Sequence, residues 1–350
     1  MSKRIIAGIG EELLLREQLT PDVAAWEDGW RTDGGPGTFE WWYFDAHFDD
    51  GSTAVVTFAT KPLLAREGGL NPLVTLTITR PDGTRLGSMR AVPAGDFEAA
   101  RDACRVHAGS ARVAGDLGRY ELHCPGDGVA ADLTFTRLAP SWRPGTGKSY
   151  YDPTLTHYFA WLVPIPFGPV EGTLTYNGVA HAVRGSGYHD HNWGNYGLEK
   201  ALSHWVWGRA HVGDFTAIFV EMTASHEFGR VKAPVFMLAR GDCLVADLGE
   251  SFTLAATDYE KHPSGRSYPR TLDFLWTGEQ GTVGIALRGP QLIDSFSLLA
   301  GVPGWKAWLG RRLLNPYYFR FNTGIELKVD LPGLRTTEHG TAIYELMLLH

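Results

Sequence analysis

GSGYHDHNWGN, residues 185–195, sets two histidines, an aspartate, a tyrosine and a tryptophan between glycines. Such a stretch can be a metal site, an acid-base site or a buried corner. If it runs extended, successive side chains leave opposite faces of a sheet. Tyr188, Asp190 and Asn192 then share one face, and His189, His191 and Trp193 the other. On the first face, an aspartate turned into an aromatic-lined barrel would lose hydration, which favours its neutral, proton-donating form. The alternative is an ionised, partly exposed Asp190 that caps the turn into NWGN. On the second face, a metal would need a further ligand from another strand. His204 and His211 are available, but no third ligand stands at a diagnostic spacing. We therefore assign no metal and no cofactor, and read His189 and His191 as hydrogen-bonding groups.

Outward from this stretch the chain is a series of short alternating runs broken by turn dipeptides, the pattern of antiparallel β-structure. EWWYFDAHF (40–48), DDGS and TAVVTFAT read as strand, turn, strand. PLVTLTITRPDGTRLGSM repeats the device around PDG, and GRYELHC, ADLTFTRL, GTLTYNGVAHAVRGSGY and FTAIFVEMT continue it. There is no βαβ rhythm and no GxGxxG or GxxxxGK[ST] loop, which disfavours a nucleotide-binding α/β fold. The expected class is all-β: two consecutive antiparallel barrels or sandwiches with short helices, with an acyclic up-and-down connectivity as the simplest option. A helical pattern covers residues 10–18, and NYGLEKALSH forms a second short helix where the strands pause. The predicted organisation is an N-terminal extension over 1–36, one domain over 37–195 and another over 196–350.

Composition narrows the function classes. The 350 residues are 44% hydrophobic and 20% charged, enough for substantial globular cores. A net charge of -7 gives no electrostatic reason to bind nucleic acid. Cys104, Cys124 and Cys243 are too few and scattered for a disulfide framework, which fits a reduced, cytoplasmic setting. The N-terminus shows no export signal, and no apolar run reaches the ~18 residues of a spanning helix. DSFSLLAGVPGWKAWLGRRLLNPYYF, residues 294–319, breaks the β pattern. Trp305, Trp308, Leu309 and Leu313 fall at helical spacing. The segment reads as a helix packed on a barrel, or as a lid or peripheral membrane contact. Oligomeric state is not legible.

Three aromatic groups could line a pocket for a lipophile: Trp41, Trp42 and Tyr43; Tyr158, Phe159 and Trp161; and Trp205 with Trp207. Alternation lets only about half of them face inward. Ordinary core packing is the competing reading for each.

EWWYFDAHFDDG, HYFAW, GSGYHDHNWGN and the C-terminal YELM together resemble the hydroxyneurosporene synthase (carotenoid hydratase) and AttH-like superfamily, from about residue 37 to the end. That superfamily also includes lipocalin-like Diels-Alder cyclases. The resemblance implies a double lipocalin-like fold and catalysis by a histidine, a tryptophan and a Tyr-x-Asp pair. Tyr188 and Asp190 match Tyr-x-Asp directly. His157 and Trp161 match the family's His-x-Trp at a wider spacing. It further implies acid-assisted hydration or cyclisation of a terpenoid or polyketide-type lipophile in an interdomain or barrel pocket, for which Trp41, Tyr43, Phe159, Trp205 and Trp207 of the aromatic groups above are the candidate binding residues. Non-catalytic carriage of a lipophilic ligand is the alternative, since fold does not fix function.

Overall fold

The computed structural model describes residues 4–62, 66–248, 251–298 and 315–349. The chain divides into two compact units, Ile6–Tyr196 and Gly197–His350, the latter grouped with Met1–Ile5. Each is built on one curled antiparallel sheet, and together they match a double lipocalin-like fold.

In the first unit the sheet runs in the order Arg85–Ala91, Leu73–Thr79, Thr53–Ala59, Phe39–Phe48, Val179–Gly194, Tyr158–Tyr176, Val129–Thr136, Arg119–Pro125, Ala111–Gly115, Cys104–Ala108 and Phe97–Ala99. Its two edges are consecutive in the chain, so the sheet curls round until they meet the same core. Val74 and Leu76 from one half pack in one cluster with Val106, Val113 and Leu122 from the other. The second unit repeats the rule. Leu202–Val212 lies beside Leu334–Leu348, and the edge strands Cys243–Asp247 and Ser251–Lys261 follow each other in sequence. The up-and-down order is therefore cyclic, which corrects the simpler acyclic expectation. First and last long strands pair, and the opening falls in mid-sequence.

Local chemistry explains the elements near the centre of the first sheet. Tyr176 pairs with Val179 across Asn177-Gly178. Both loop residues have positive φ, 53° and 74°. This is the two-residue turn that Asn-Gly favours because its twist matches the flanking strands. Strand Tyr158–Tyr176 then shifts register between Leu162 and Ile165. A bulge of this kind re-aims the side chains beyond it. Ile165 consequently lies opposite His189 in the core, while Trp161, of the same parity, lies opposite Asn192. Residues 6–38 belong to the same unit. Their anchor is a buried pair in which Arg143 Nε donates to Glu27 Oε2 at 2.6 Å.

Two expected helices are present, Glu11–Arg16 and Leu198–Ala201. A helix over 294–319 is not borne out at its ends. Residues 294–297 end strand Gly281–Ser297, 317–319 open strand Tyr317–Leu331, and Asp294 pairs with Arg320. Trp305, Trp308, Leu309 and Leu313 lie outside the described residues. No helix among those described is long and apolar enough to cross a membrane.

Candidate active site

Strand Val179–Gly194 lies centrally in the first sheet, and its two faces carry different chemistry. The interior face holds Trp42, Phe44, Ala46, Ile165 and Tyr120, packed as one apolar cluster. His189 and His191 point to this side. His189 stacks on Phe44 at 3.9 Å and His191 on Trp42 at 4.6 Å. Tyr188, Asp190 and Asn192 point to the other. Asp190 is thus not turned into the barrel interior, a correction to the sequence expectation.

On that outer face Asp190 is half-buried and receives three donors. Trp161 Nε1–H and Tyr188 O–H reach Oδ2 at 3.1 and 2.8 Å, and Asn192 Nδ2–H reaches Oδ1 at 2.8 Å. Tyr188 is fully buried and Trp161 nearly so, with Trp142 set perpendicular to it at 5.8 Å. Hydrogen bonds to a carboxylate favour its charged form, and Asp190 receives three such donors.

The cross-strand register builds an aromatic strip around it. Trp161 lies opposite Asn192, and Asn192 opposite Trp41; Asp190 lies opposite Tyr43, and Tyr188 opposite Asp45. Trp41 and Phe159 approach to 6.3 Å, and Phe39 stacks on Trp41 at 5.6 Å. Gly194 makes this close packing feasible. A Cβ there would lie 2.5 Å from the Tyr158 carbonyl oxygen and 3.1 Å from the Phe39 ring.

The interior face holds a buried ionic cluster instead. His189 Nε2 lies 3.1 Å from Asp28 Oδ2, His191 Nδ1 3.2 Å from Asp28 Oδ1, and His191 Nε2 2.9 Å from Glu40 Oε1. Tyr120 donates to Asp28 Oδ2 at 2.5 Å, and Thr32 donates to Glu40 through both N–H and O–H. Asp28, Glu40, His189 and His191 are all essentially inaccessible. Burial would raise the Asp28 pKa, but His189 and His191 outweigh it and hold the carboxyl well below the usual range. Burial likewise pulls His191 down, and its bonds to Asp28 and Glu40 more than reverse that. Asp28, Cys104 and His189 bring ligand atoms within 4.8 Å of one another, a grouping that could hold a metal. Burial, then Asp28, pushes the Cys104 thiol well up.

The structure therefore brings together Asp190, Tyr188, Trp161, Tyr43, Trp41 and Phe159 of the sequence-predicted residues. It does not bring His157 to them. His157 precedes the strand, is largely exposed, and its Nδ1 lies 3.1 Å from Asp152 Oδ2. Trp205 and Trp207 belong to the second unit, half-buried on the face opposite its core residues Val206 and Ala210. Asn192 and Asp45 were missed as site residues. Parity already placed Asn192 beside Asp190, and Tyr43-Phe44-Asp45 repeats the Tyr-x-Asp spacing.

Two curled antiparallel sheets define a double lipocalin-like fold. More specifically, the chain belongs to the Diels-Alderase-like family, whose model matches residues 35–268. It is 26% identical over 201 residues to the quinolone epoxide rearrangement protein penF of Penicillium thymicola, covering 52% of this chain and 55% of that one. The chain spans about half the length of the curated relatives it matches. Among solved structures it resembles AttH of Nitrosomonas europaea, with a TM-score of 0.63, 15% identity and coverage of 94% and 98% of the two chains. The CghA complex with Sch210972 superposes with a TM-score of 0.61, 14% identity and 99% coverage of both. At these identities the two structures speak for the fold alone.

Proposed function

We propose that the chain is a cyclase or hydratase of secondary metabolism that acts on a lipophilic, cation-forming substrate such as an epoxide or polyene. The observation that carries this reading is the carboxylate of Asp190, fixed by Trp161, Tyr188 and Asn192 on an aromatic sheet face. A carboxylate so held can stabilise positive charge or accept a proton, and ring faces such as those of Trp161 and Tyr43 stabilise cations. Family membership and the epoxide-rearranging relatives support the same chemistry.

The test is Asp190→Asn in the full chain with a quinolone epoxide as probe, followed by mass spectrometry and NMR of the product. Asn keeps the shape and removes the charge, so turnover should fall ~100-fold or more while epoxide binding persists. Unchanged turnover would overturn the carboxylate mechanism. Tight binding with the epoxide recovered unaltered from the wild-type protein would support the carrier reading instead.

A further inference from the structure

The charges on the sheet face that carries Asp190 are one-sided. Tyr188, Asp190 and Asn192 lie opposite Asp45, Tyr43 and Trp41 on Phe39–Phe48, and these lie opposite Val55, Thr57 and Ala59 on Thr53–Ala59. Among these residues the charged groups are Asp45 and Asp190, and none is Lys or Arg. Asp45 is buried, with His47 Nε2 3.6 Å from its Oδ1. Asp190 is half-buried and takes its hydrogen bonds from Trp161, Tyr188 and Asn192, which are neutral groups. The rings of Trp41, Tyr43 and Phe159 are likewise half-buried, so part of each stays accessible. At the far end of the strip the Arg66 guanidinium stands over the Phe39 ring at 5.7 Å, so one of these rings already faces a cation of the chain itself.

A carboxylate beside ring faces attracts a cation in two ways, through its own charge and through the negative face of each ring. Neutral donors orient the Asp190 carboxyl and favour its charge without adding a positive charge of their own. We propose that this face binds a positively charged nitrogen on a lipophilic frame, as a quaternary ammonium or a protonated tertiary amine. The cation lies against Asp190 and Tyr43, and the apolar frame runs along Trp41 and Phe159. An alkylated ammonium suits half-buried rings because its charge is spread over weakly hydrated alkyl groups, whereas an anionic ligand would meet Asp190 charge to charge. This inference rests on the reading of the Asp190 face as the ligand site and names a ligand class for it. A face that holds a permanent cation also favours the cation formed when an epoxide opens, so an alkylammonium doubles as a mimic of that species.

The experiment titrates benzyltrimethylammonium, its uncharged carbon isostere neopentylbenzene and the anion benzylsulfonate into the full chain, with saturation-transfer NMR as the readout. Wild type is compared with Asp190→Asn, Tyr43→Leu and Tyr43→Phe. The ammonium should bind the wild type ~10-fold more tightly than the isostere, and the sulfonate should bind more weakly than either. Asp190→Asn should lower ammonium affinity ~10-fold and leave the isostere unchanged. Tyr43→Leu should lower ammonium affinity ~5-fold and Tyr43→Phe should restore it, because the ring face and not the hydroxyl meets the cation. Equal binding of ammonium and isostere by the wild type, or an ammonium preference that survives in Asp190→Asn, overturns the inference. Quinolone epoxide conversion separates it from the catalytic reading. If Asp190→Asn loses conversion while the wild type shows no ammonium preference, only the cation inference falls. If the ammonium preference depends on Asp190 while the wild type converts no epoxide, the catalytic reading falls and cation binding stands. Should Asp190→Asn fail to fold, Tyr43→Leu against Tyr43→Phe still decides, and equal ammonium affinity in the two overturns the inference.

Discussion

Replacing Asp28 by Asn should unfold the first unit far more readily while leaving its shape nearly unchanged. Asp28 faces His189 at 3.1 Å and His191 at 3.2 Å, and takes the Tyr120 hydroxyl at 2.5 Å, all within a site closed to solvent. At an effective dielectric of ~20, a full charge pair at the Asp28–His191 separation is worth about 5 kcal/mol in Coulomb terms, and desolvation of both partners cancels much of it. Removing one member leaves the other buried charges uncompensated, which costs about 3–5 kcal/mol in comparable buried pairs. Asn retains acceptor and donor atoms for Tyr120 and one histidine, so the lower end of that range is expected. For a unit of this size, about 3 kcal/mol lowers the melting temperature by roughly 6–12 °C. Thermal unfolding of the full chain at neutral pH, followed by near-UV circular dichroism, measures it. A loss below ~1 kcal/mol would refute the reasoning, because it would mean that the two histidines do not depend on Asp28 as a charged partner.

The same cluster sets a pH window for stability. His191 has a folded pKa raised above 6.5, so its contribution is full below that value and is lost as pH rises through the raised one. Asp28 is depressed below 3.8, so its contribution is present above that value and disappears as pH falls towards the depressed one. Urea midpoints should therefore plateau between these limits and fall on both sides; an alkaline fall that persists undiminished in His191→Gln would assign it elsewhere. Trp161→Phe keeps a ring but deletes a donor to Asp190, and turnover of a quinolone epoxide should drop by about ten-fold, the worth of a hydrogen bond to a charged group; an unchanged rate would mean that this bond does not tune the carboxylate. Gly194→Ala puts a Cβ 2.5 Å from the Tyr158 carbonyl oxygen and should cost about 1–3 kcal/mol by overpacking, read from the urea midpoint; a neutral substitution would show that the strands can part there.

The β-class was readable because Thr53–Ala59 and Leu73–Thr79 alternate strictly between half-buried and buried positions, and sequence alternation reports that directly. Parity also separated Asp190 from His189 and His191 correctly. What it could not supply was the identity of the face that becomes the interior. Strand Val179–Gly194 is largely buried on both sides around residues 188–194, so apolar content does not distinguish them. Cyclic closure was equally hidden, because pairing between Phe39–Phe48 and Val179–Gly194 joins segments far apart in sequence. His157 was carried in on motif resemblance. The register places Trp161 beside Asn192, while His157 lies four residues earlier, before the strand begins. Asp28 lies in a short segment without strand periodicity, and nothing local announced it as the partner of two distant histidines.

The ionic cluster and the carboxylate face share one strand, and this arrangement has a mechanical consequence. His189 and His191 flank Asp190 in sequence and are tied on the interior side to Asp28 and Glu40, which come from the 3₁₀ turn Ala25–Asp28 and from the neighbouring strand. In addition, His189 Nδ1 lies 2.9 Å from the carbonyl oxygen of Tyr43, the residue opposite Asp190. Closely paired buried polar groups tolerate little displacement, because a small separation leaves each of them without its partner in a poorly polarisable interior. The backbone under Tyr188, Asp190 and Tyr43 is thereby held from below. The histidines that make GSGYHDHNWGN conspicuous thus serve the site by fixing its floor, and a substitution there should erode stability and the geometry of Asp190 together.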